Sequence, residues 1–481
     1  MTGTDDRLRE AARDFLSAAW ARLEQERVVP PPAFRPYLEI GHDYFGDSVM
    51  PLPAFRTLEA AISAAHPRFS PVEFPDEQDF PGGLIFSFLE AFIARLTLAG
   101  EDFSVTGTAA AESLQDLVQV VHSDSFEVAC CRLVSHLTTA DGAPVDFTHV
   151  RVEPIVAEPA RHQADLQRII SEAVPGASGV YARDWPYGFA PPESVITARD
   201  SGPKPHALGG PLSERIERFL LLVRLLKPGI SESMAEIRGE SRLVRDFGPT
   251  VIRFRGAGPG LSSARRGSQV ITLDRDDAGR IDGLDRLLAA AQQPPKEMAF
   301  TSFGMALHKF LLSFHAHVWS EQIVDLATAF EATLSGTATA DVTLRLKLRA
   351  SVLLCGPDDP AEQIFNDVGA IYNLRSYLVH GGALSMKALR KELRKVSTVS
   401  DGMLDAQAIA RTVERLRDLV RRSLLARICL AAGAEPLWPL ATDQGVDAAM
   451  VSDESRRAWR ERWRDTLAGI DAGSSADRAS A

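Results

Sequence analysis

Apolar residues recur every three or four positions near the start of the chain, which is the spacing of an amphipathic helix. In residues 7–28, Leu8, Phe15 and Leu23 fall on one face of such a helix. Further helices are predicted at 83–99 and around 107–121. The stretch 29–56, which follows the first predicted helix, is rich in proline. Proline removes backbone donors and interrupts regular structure, so a loop or connector is expected there.

From Phe126 to Val156 the pattern changes to short runs in which apolar and polar residues partly alternate. FEVACCRLVSHL and FTHVRVEPIV are typical of β-strands, and Asp141-Gly142 between them is typical of a turn. A hairpin is therefore predicted. Residues 171–211 show little periodicity and are expected to form a long loop or a domain boundary, whereas 213–227 has the period of a helix.

After Pro294-Pro295 the apolar pattern has a helical period almost throughout. Helices with an apolar stripe are predicted at 299–319, 321–334, 341–354, 361–380 and 403–430. Because such stripes must be buried against one another, residues 299–435 are expected to form a compact helical bundle. A short charged helix is expected at 452–470, and the final GSSADRASA is expected to be disordered.

These elements predict an α+β multidomain protein, with an N-terminal mixed α/β portion followed by an all-α helical bundle. The length of 481 residues fits roughly two to four domains of ordinary size. The expected divisions are a sensor-like mixed α/β region at 1–205, a helix-and-strand connector or continuation at 206–298, the bundle at 299–435, and a partly disordered tail at 436–481.

Composition limits the class of protein. The net charge is -11 at pH 7, so the chain as a whole is not a basic coat for nucleic acid. The four cysteines include no C-x-x-C pair, so neither a zinc site nor a disulfide framework is indicated. The first residues are polar, and no apolar run approaches the ~20 residues that cross a bilayer. A cytoplasmic protein without membrane contact is expected.

One segment, IYNLRSYLVHGG at 371–382, combines residue types that can do chemistry. Arg375 is permanently charged and offers a planar fork for phosphate oxygens. His380 lies at the end of a predicted helix, where a cation is favoured, and imidazole transfers protons near neutral pH. Together they are the minimum apparatus for metal-free cleavage of RNA through its own 2'-hydroxyl. The alternative is a surface arginine beside a histidine that caps the last turn.

The spacing of the pair has a geometric consequence. Five steps of about 100° place Arg375 and His380 roughly 140° apart on a straight helix, so they would not converge on one phosphate. Either the last turn distorts at Gly381, or a second copy of the motif completes the site. A homodimer through the bundle, formed by an isologous contact, provides the second copy.

The wider run from Ala306 to Gly382 resembles the Apea-like HEPN family. The resemblance lies in ALHKF (306–310), VDLATAFEATL (324–334), LRLKLRASVLL (344–354) and above all in IYNLRSYLVHGG. It implies a small helical bundle that usually dimerises. It also implies a metal-independent ribonuclease of the kind found in toxin and antiphage systems, whose active site is an Arg-x4-6-His motif.

Carried over by position, Arg375 and His380 would be the catalytic pair. Ser376 would be the polar residue after the arginine and Tyr377 its neighbour, both in supporting positions. Many active members of the family have Asn, Asp or His where this chain has Ser376. Glu331 matches a frequent acidic position and is expected to orient Arg375 from an adjacent helix; the alternative is a solvated carboxylate.

The resemblance implies an endoribonuclease of prokaryotic antiphage or abortive-infection defence. RNA would be the substrate, and the N-terminal region would sense an unknown trigger ligand or phage protein and restrain the bundle. The alternative is a catalytically inactive HEPN module that dimerises and binds nucleotide, RNA or a protein partner. The two readings differ in whether Arg375 and His380 face an open, positively lined cleft or are sealed against neighbouring helices.

No cofactor and no metal are expected. His308, His315 and His317 do not share one face of a helix, so a metal cluster is disfavoured. The stretch Lys387 to Arg427 holds 11 Lys and Arg against 5 Asp and Glu, a net charge of +6. It is a candidate to track an RNA backbone, and the alternative is a solvated helix face.

Overall fold

A computed structural model of the chain describes residues 3–26, 48–66, 69, 81–99, 102–124, 126–155, 193–202, 206–229, 231–240, 270–291, 301–316, 318–335, 341–380, 384–432 and 446–479. The architecture is α+β. The chain divides into two units, of which the first comprises Met1–Tyr187, Pro191–Arg218 and Ser233–Arg255, and the second Gly188–Ala190, Phe219–Glu232 and Gly256–Ala481. Among the described helices, none has the length and apolar character that crossing a membrane requires.

The first unit begins with helices α1 (Gly3–Gln25), α2 (Pro53–Ala65), α3 (Pro81–Ala99) and α4 (Thr108–Val121). Pro53 starts α2, where its missing N–H removes no helical hydrogen bond. The apolar faces of α1 and α2 are buried against each other, and the Phe15 and Phe55 rings meet edge to face at 5.9 Å. Three of the helices were predicted within a few residues, whereas α2 begins inside the stretch expected to be a loop.

The sheet of the first unit is built from strands that are distant in sequence. Its strands are β1 (Phe126–Ser135), β3 (Val145–Asp146), β4 (Arg151–Pro154), β5 (Ser194–Gly202) and β6 (Glu232–Glu240), in the order β3-β4-β5-β1-β6; β2 (Leu137–Thr139) follows β1 in the chain. Strand β5 pairs antiparallel with both β1 and β4, with Thr197 opposite Cys131 on one side and Arg151 on the other.

The predicted hairpin between the two runs of 126–156 is therefore wrong. Strand β5 lies between β1 and β4 and comes from the stretch that was expected to be a loop. Residues 194–198 are all buried, so both faces of the strand are covered and no alternation of apolar and polar residues is visible in the sequence. The turn at Asp141-Gly142 does form, and Gly142 adopts a φ of 62°, which glycine tolerates without strain.

The second unit is dominated by helices, preceded by the short strand β7 (Ile271–Leu273) and by the second half of α5 (His206–Leu226). The helices are α6 (Asp276–Ala291), α7 (Ser302–Leu312), α8 (Trp319–Leu334), α9 (Val342–Leu354), α10 (Ala361–Val379), α11 (Met386–Leu393), α12 (Asp405–Ala431), α13 (Val446–Val451) and α14 (Asp453–Ala479). The helix predicted at 299–319 ends at Leu312, and α11 was not predicted.

The last helix packs against the others. Helix α14 contacts α6, α9 and α12, and Trp459 and Trp463 on it are buried. The Trp463 indole N–H donates to the Leu353 carbonyl at 3.3 Å. The C-terminal segment therefore contributes to the core of the second unit, although the sequence indicated only a charged helix and a partly disordered tail.

Arginines from α12 and α14 cap the carbonyl ends of helices in this unit. Arg421 donates to the Leu225 carbonyl at the end of α5, at 3.1 Å. At the end of α9, Arg422 and Arg460 donate to the carbonyls of Leu354 and Val352 at 3.4 and 3.1 Å. The last carbonyls of a helix lack helical partners and carry partial negative charge, so cations stabilise them.

Candidate active site

Helix α10 carries the motif. Its buried side is formed by residues that recur at helical spacing, Ile364, Val368, Ile371 and Leu374. His380 is the residue that caps its C-terminus, and its backbone N–H donates to the Ser376 carbonyl at 3.1 Å. The helix therefore ends at the histidine, in agreement with the predicted bounds, and its dipole presents partial negative charge there.

Arg375 is held between two side chains. Its Nη2 lies 3.4 Å from Oε1 of Glu331 on α8, and the two side chains are 23% and 26% exposed. Its guanidinium carbon lies 5.7 Å from the centre of the Tyr372 ring. Within the described residues, the Nε of Arg375 and the hydroxyl of Tyr372 are buried and have no hydrogen-bond partner. The protein therefore orients Arg375 without using all of its hydrogen-bonding capacity.

Glu331 is constrained by the end of the helix that carries it. Arg427 donates to the carbonyls of Ala332, at 3.0 Å, and of Thr333, and Arg349 donates to that of Leu334. Both arginines are buried. They fix the last turn of α8, and with it the carboxylate that faces Arg375.

Burial also changes the acidity of Glu331. Partial removal from water raises the pKa of its carboxyl group above the ordinary value, and the nearby charge of Arg375 lowers it only in part. The ion pair with Arg375 is therefore held in an environment that favours the neutral acid. Such a pair responds to a change of pH or to a competing anion.

A second set of charges anchors α10 two turns before Arg375. The buried carboxylate of Asp367 accepts from the backbone N–H and the hydroxyl of Ser397 and from Nε of Arg415, each at 2.7 Å. Arg415 also donates to both carboxylate oxygens of Asp359, at 3.0 and 2.7 Å. Burial alone would raise the pKa of Asp359, but hydrogen bonds from Arg415 and Arg422 lower it below its ordinary value. The network ties α10 to α12.

The remaining motif residues lie on an open surface. Ser376, Tyr377 and His380 are exposed, Tyr377 to 42%. In the described part of the chain no hydrogen bond or ion pair joins Arg375 to His380. The structure thus brings Glu331 to Arg375, and His380 lies five residues further along the chain, at the end of the helix. Gly381 and Gly382 lie outside the described residues.

The other polar candidates do not join this group. Asp325, also on α8, pairs with Lys309 at 2.8 Å rather than with the motif. His308 is exposed and His315 half-buried, and His317 lies outside the described residues. Within the described residues, no group of three or more His, Cys, Asp or Glu side chains is placed to hold a metal ion.

The basic stretch from Lys387 to Arg427 separates into two kinds of residue. Arg415, Arg417 and Arg427 are buried, and Arg421 and Arg422 bond to carbonyls and carboxylates inside the unit. These five are structural cations, held by burial or by contacts inside the unit. The exposed cations of the stretch are concentrated at its start, on and just after α11. Charge counting in the sequence could not distinguish the two kinds.

Comparisons of the chain with protein-family models, with curated proteins and with solved structures find no match.

Proposed function

We propose that the chain is a metal-independent endoribonuclease of the HEPN type, with Arg375 and His380 as its catalytic residues. The observation that carries this proposal is the placement of the pair. Arg375 is oriented by Glu331 yet remains partly exposed, and His380 stands on an open helix end. Neighbouring helices do not seal either side chain, and this favours the active pair over the inactive HEPN module. The resemblance of residues 306–382 to the Apea-like HEPN family supports the same reaction.

In the proposed reaction Arg375 binds a non-bridging oxygen of the scissile phosphate and stabilises the charge that develops on it. A neutral His380 takes the proton of the 2'-hydroxyl, and that oxygen attacks phosphorus. The bond to the 5'-oxygen breaks, this oxygen takes a proton from water, and the resulting hydroxide takes the proton that His380 had accepted. The products are a 2',3'-cyclic phosphate and a 5'-hydroxyl, and no redox change occurs.

The histidine that works with a given Arg375 comes from a second copy of the chain. On one straight helix Arg375 and His380 point roughly 140° apart, so one copy presents only one of them to a given phosphate. A two-fold contact between bundles places the arginine of one chain beside the histidine of the other. An Arg375→Ala chain mixed with a His380→Ala chain is then expected to regain partial activity. A monomer by light scattering that still cuts RNA would contradict the dimer.

The role in the cell rests on the resemblance alone. It places the enzyme in the cytoplasm, in prokaryotic antiphage or abortive-infection defence. The N-terminal region senses a trigger, a small ligand or a phage protein, and restrains the bundle until the trigger is present. Addition of a cognate trigger is then expected to raise the cleavage rate of the full chain.

The direct experiment uses labelled RNA and the purified full-length protein. Wild type is expected to cut with and without EDTA, whereas Arg375→Ala and His380→Ala each abolish cleavage and keep the wild-type thermal midpoint. Ser376→Ala is the matched control on the same turn, because it removes a hydroxyl and leaves both charges. Loss of cleavage in EDTA with rescue by a divalent ion would contradict metal independence. Wild-type protein that cuts no RNA under any trigger would favour the catalytically inactive HEPN module.

A further inference from the structure

Helix α11 follows the motif helix after only a few residues and is strongly basic. Residues 387–395 hold five Lys or Arg and one Glu, a net charge of +4. Its apolar side is buried through Leu389 and Leu393. The cations therefore lie on the side of the helix that faces solvent.

Only some of these cations are neutralised by the protein. Nε and Nη2 of Arg390 donate to the two oxygens of Asp405, at 2.9 and 2.7 Å, and Nζ of Lys395 lies 2.6 Å from Glu392. The other three, Lys387, Lys391 and Arg394, are exposed and make no hydrogen bond or ion pair with any part of the chain that the structure describes.

These three residues form a single stripe, which we call the α11 stripe. Their spacing is i, i+4 and i+7, and Arg394 caps the helix in a helical conformation. At about 100° per residue they fall within roughly 60° of one another, and they span about 10 Å along the axis. A row of charges of this length reaches more than one phosphate of an extended polynucleotide.

Helix α11, which carries the stripe, packs against helix α10, which carries the motif. Leu374, next to Arg375 in the chain, packs in one core cluster with Leu389 and Leu393 of α11. Asn373 donates from Nδ2 to Oε2 of Glu392 at 3.1 Å. Burial alone would raise the pKa of Glu392, but hydrogen bonds from Lys395 and Asn373 lower it, so this carboxylate stays ionised and keeps the contact. Helix α11 is thus held against the side of α10 that carries Asn373 and Leu374.

We infer that the α11 stripe binds the phosphodiester backbone of single-stranded RNA outside the catalytic site, an inference that rests on the proposed function. Backbone contacts of this kind set the register of a strand and carry no base specificity. Exposed lysines that make no hydrogen bond or ion pair within the described residues suit this role because they act as point charges that release counterions on binding. Residues of the stripe are then determinants of affinity and take no part in the chemical step.

The test measures binding separately from cleavage. Full-length His380→Ala protein, which leaves the RNA intact, is titrated into a fluorescein-labelled single-stranded RNA of mixed sequence at several salt concentrations. The triple change Lys387→Gln, Lys391→Gln and Arg394→Gln is expected to reduce the slope of log affinity against log salt by about 2, at about 0.7 per phosphate contact. When the salt concentration rises fourfold, the ratio of the RNA affinity of the parent to that of the triple variant therefore falls about 20-fold.

The matched control removes the same charge from another surface of the unit. Arg286, Arg457 and Arg462 are exposed on α6 and α14 and make no ion pair within the described residues. Their triple change to Gln is expected to leave the slope unchanged. An unchanged slope in the α11 variant, or an equal loss in both variants, would overturn the inference. The inference would also be overturned if the α11 variant lost binding to phosphatidylserine vesicles while its slope for RNA stayed unchanged.

The outcome separates this inference from the proposed function. If wild type cuts RNA while the α11 variant binds with the parental slope, the inference fails and the ribonuclease stands. If the slope falls as expected but wild type never cuts the RNA, the α11 stripe stands as an RNA-binding surface and the catalytic proposal fails.

Discussion

Glu331→Gln removes the charge that faces Arg375 and keeps the size of the side chain. Because burial raises the pKa of Glu331, the folded protein at neutral pH holds an ionised carboxylate where the neutral acid is favoured. A group with a raised folded pKa loses stability as the pH rises through that value. We therefore expect the variant to have a thermal midpoint equal to wild type or higher at neutral pH, with the difference vanishing towards about pH 4.

The effect on cleavage has the opposite sign. The pair is separated by 3.4 Å and each side chain is about a quarter exposed. The glutamine amide still accepts a hydrogen bond, but hydrogen bonds to charged groups are worth about 1.5–3 kcal/mol and neutral ones about 0.5–1.5 kcal/mol. A value of about 1–2 kcal/mol for orienting Arg375 corresponds to a loss of about 5- to 30-fold in rate. The loss is expected in kcat, because in the proposed reaction Arg375 stabilises charge that develops in the transition state.

The assay combines steady-state cleavage of a quenched fluorescent RNA with thermal unfolding across the pH range. Asp325→Asn is the matched control, since it converts another carboxylate of α8 that pairs with Lys309 at 2.8 Å, away from the motif. A lower thermal midpoint with unchanged kcat in Glu331→Gln would show that the pair is structural and does not orient Arg375 for catalysis. Equal losses of kcat in both variants would contradict this role as well.

Three further predictions concern the packing of the chain. Asp367→Ala leaves Arg415 buried with one carboxylate fewer and is expected to lower the free energy of unfolding by about 3–5 kcal/mol in a urea titration, whereas Asp405→Ala on the surface leaves the midpoint unchanged. Gly283→Ala places a Cβ 2.7 Å from Ile470 and is expected to lower the free energy of unfolding by about 1–3 kcal/mol. Gly469→Ala, whose Cβ meets nothing within 4 Å, is expected to raise it by up to about 1 kcal/mol. Stabilisation by Gly283→Ala would contradict the packing of α6 on α14. Burial raises the pKa of Cys131 to about 11 and of Cys429 to about 12, so neither is expected to react with iodoacetamide in the native protein, whereas the half-buried Cys355 reacts; a native digest that contains alkylated Cys429 would contradict this.

Long apolar stripes made several helices predictable from the sequence. Helices α9, α10 and α12 begin and end within two residues of their predicted bounds, because each buries a stripe that repeats over three turns or more. Helix α11 was missed because its eight residues bury little beyond Leu389 and Leu393. Strand β5 was missed because both of its faces are covered at 194–198.

The support of the candidate site was less visible in the sequence. The pairing of Glu331 with Arg375 agrees with the expectation from the resemblance. The network around Asp367 was not predicted, because nothing in the sequence distinguishes a buried Arg415 from a solvated arginine on the same helix. Such pairs join residues 48 positions apart, and only the packing of α10 on α12 brings them together.

The most direct test of RNA cleavage through the 2'-hydroxyl compares two substrates that differ at one oxygen. One is an RNA that wild type cuts at a mapped position, and the other carries a 2'-O-methyl group on the nucleotide 5' to that bond. The proposed mechanism predicts that the first yields a 2',3'-cyclic phosphate and a 5'-hydroxyl and that the second is not cut, because His380 has no proton to remove. Cleavage of the methylated RNA at the same bond, or a 5'-phosphate on the products, would contradict it.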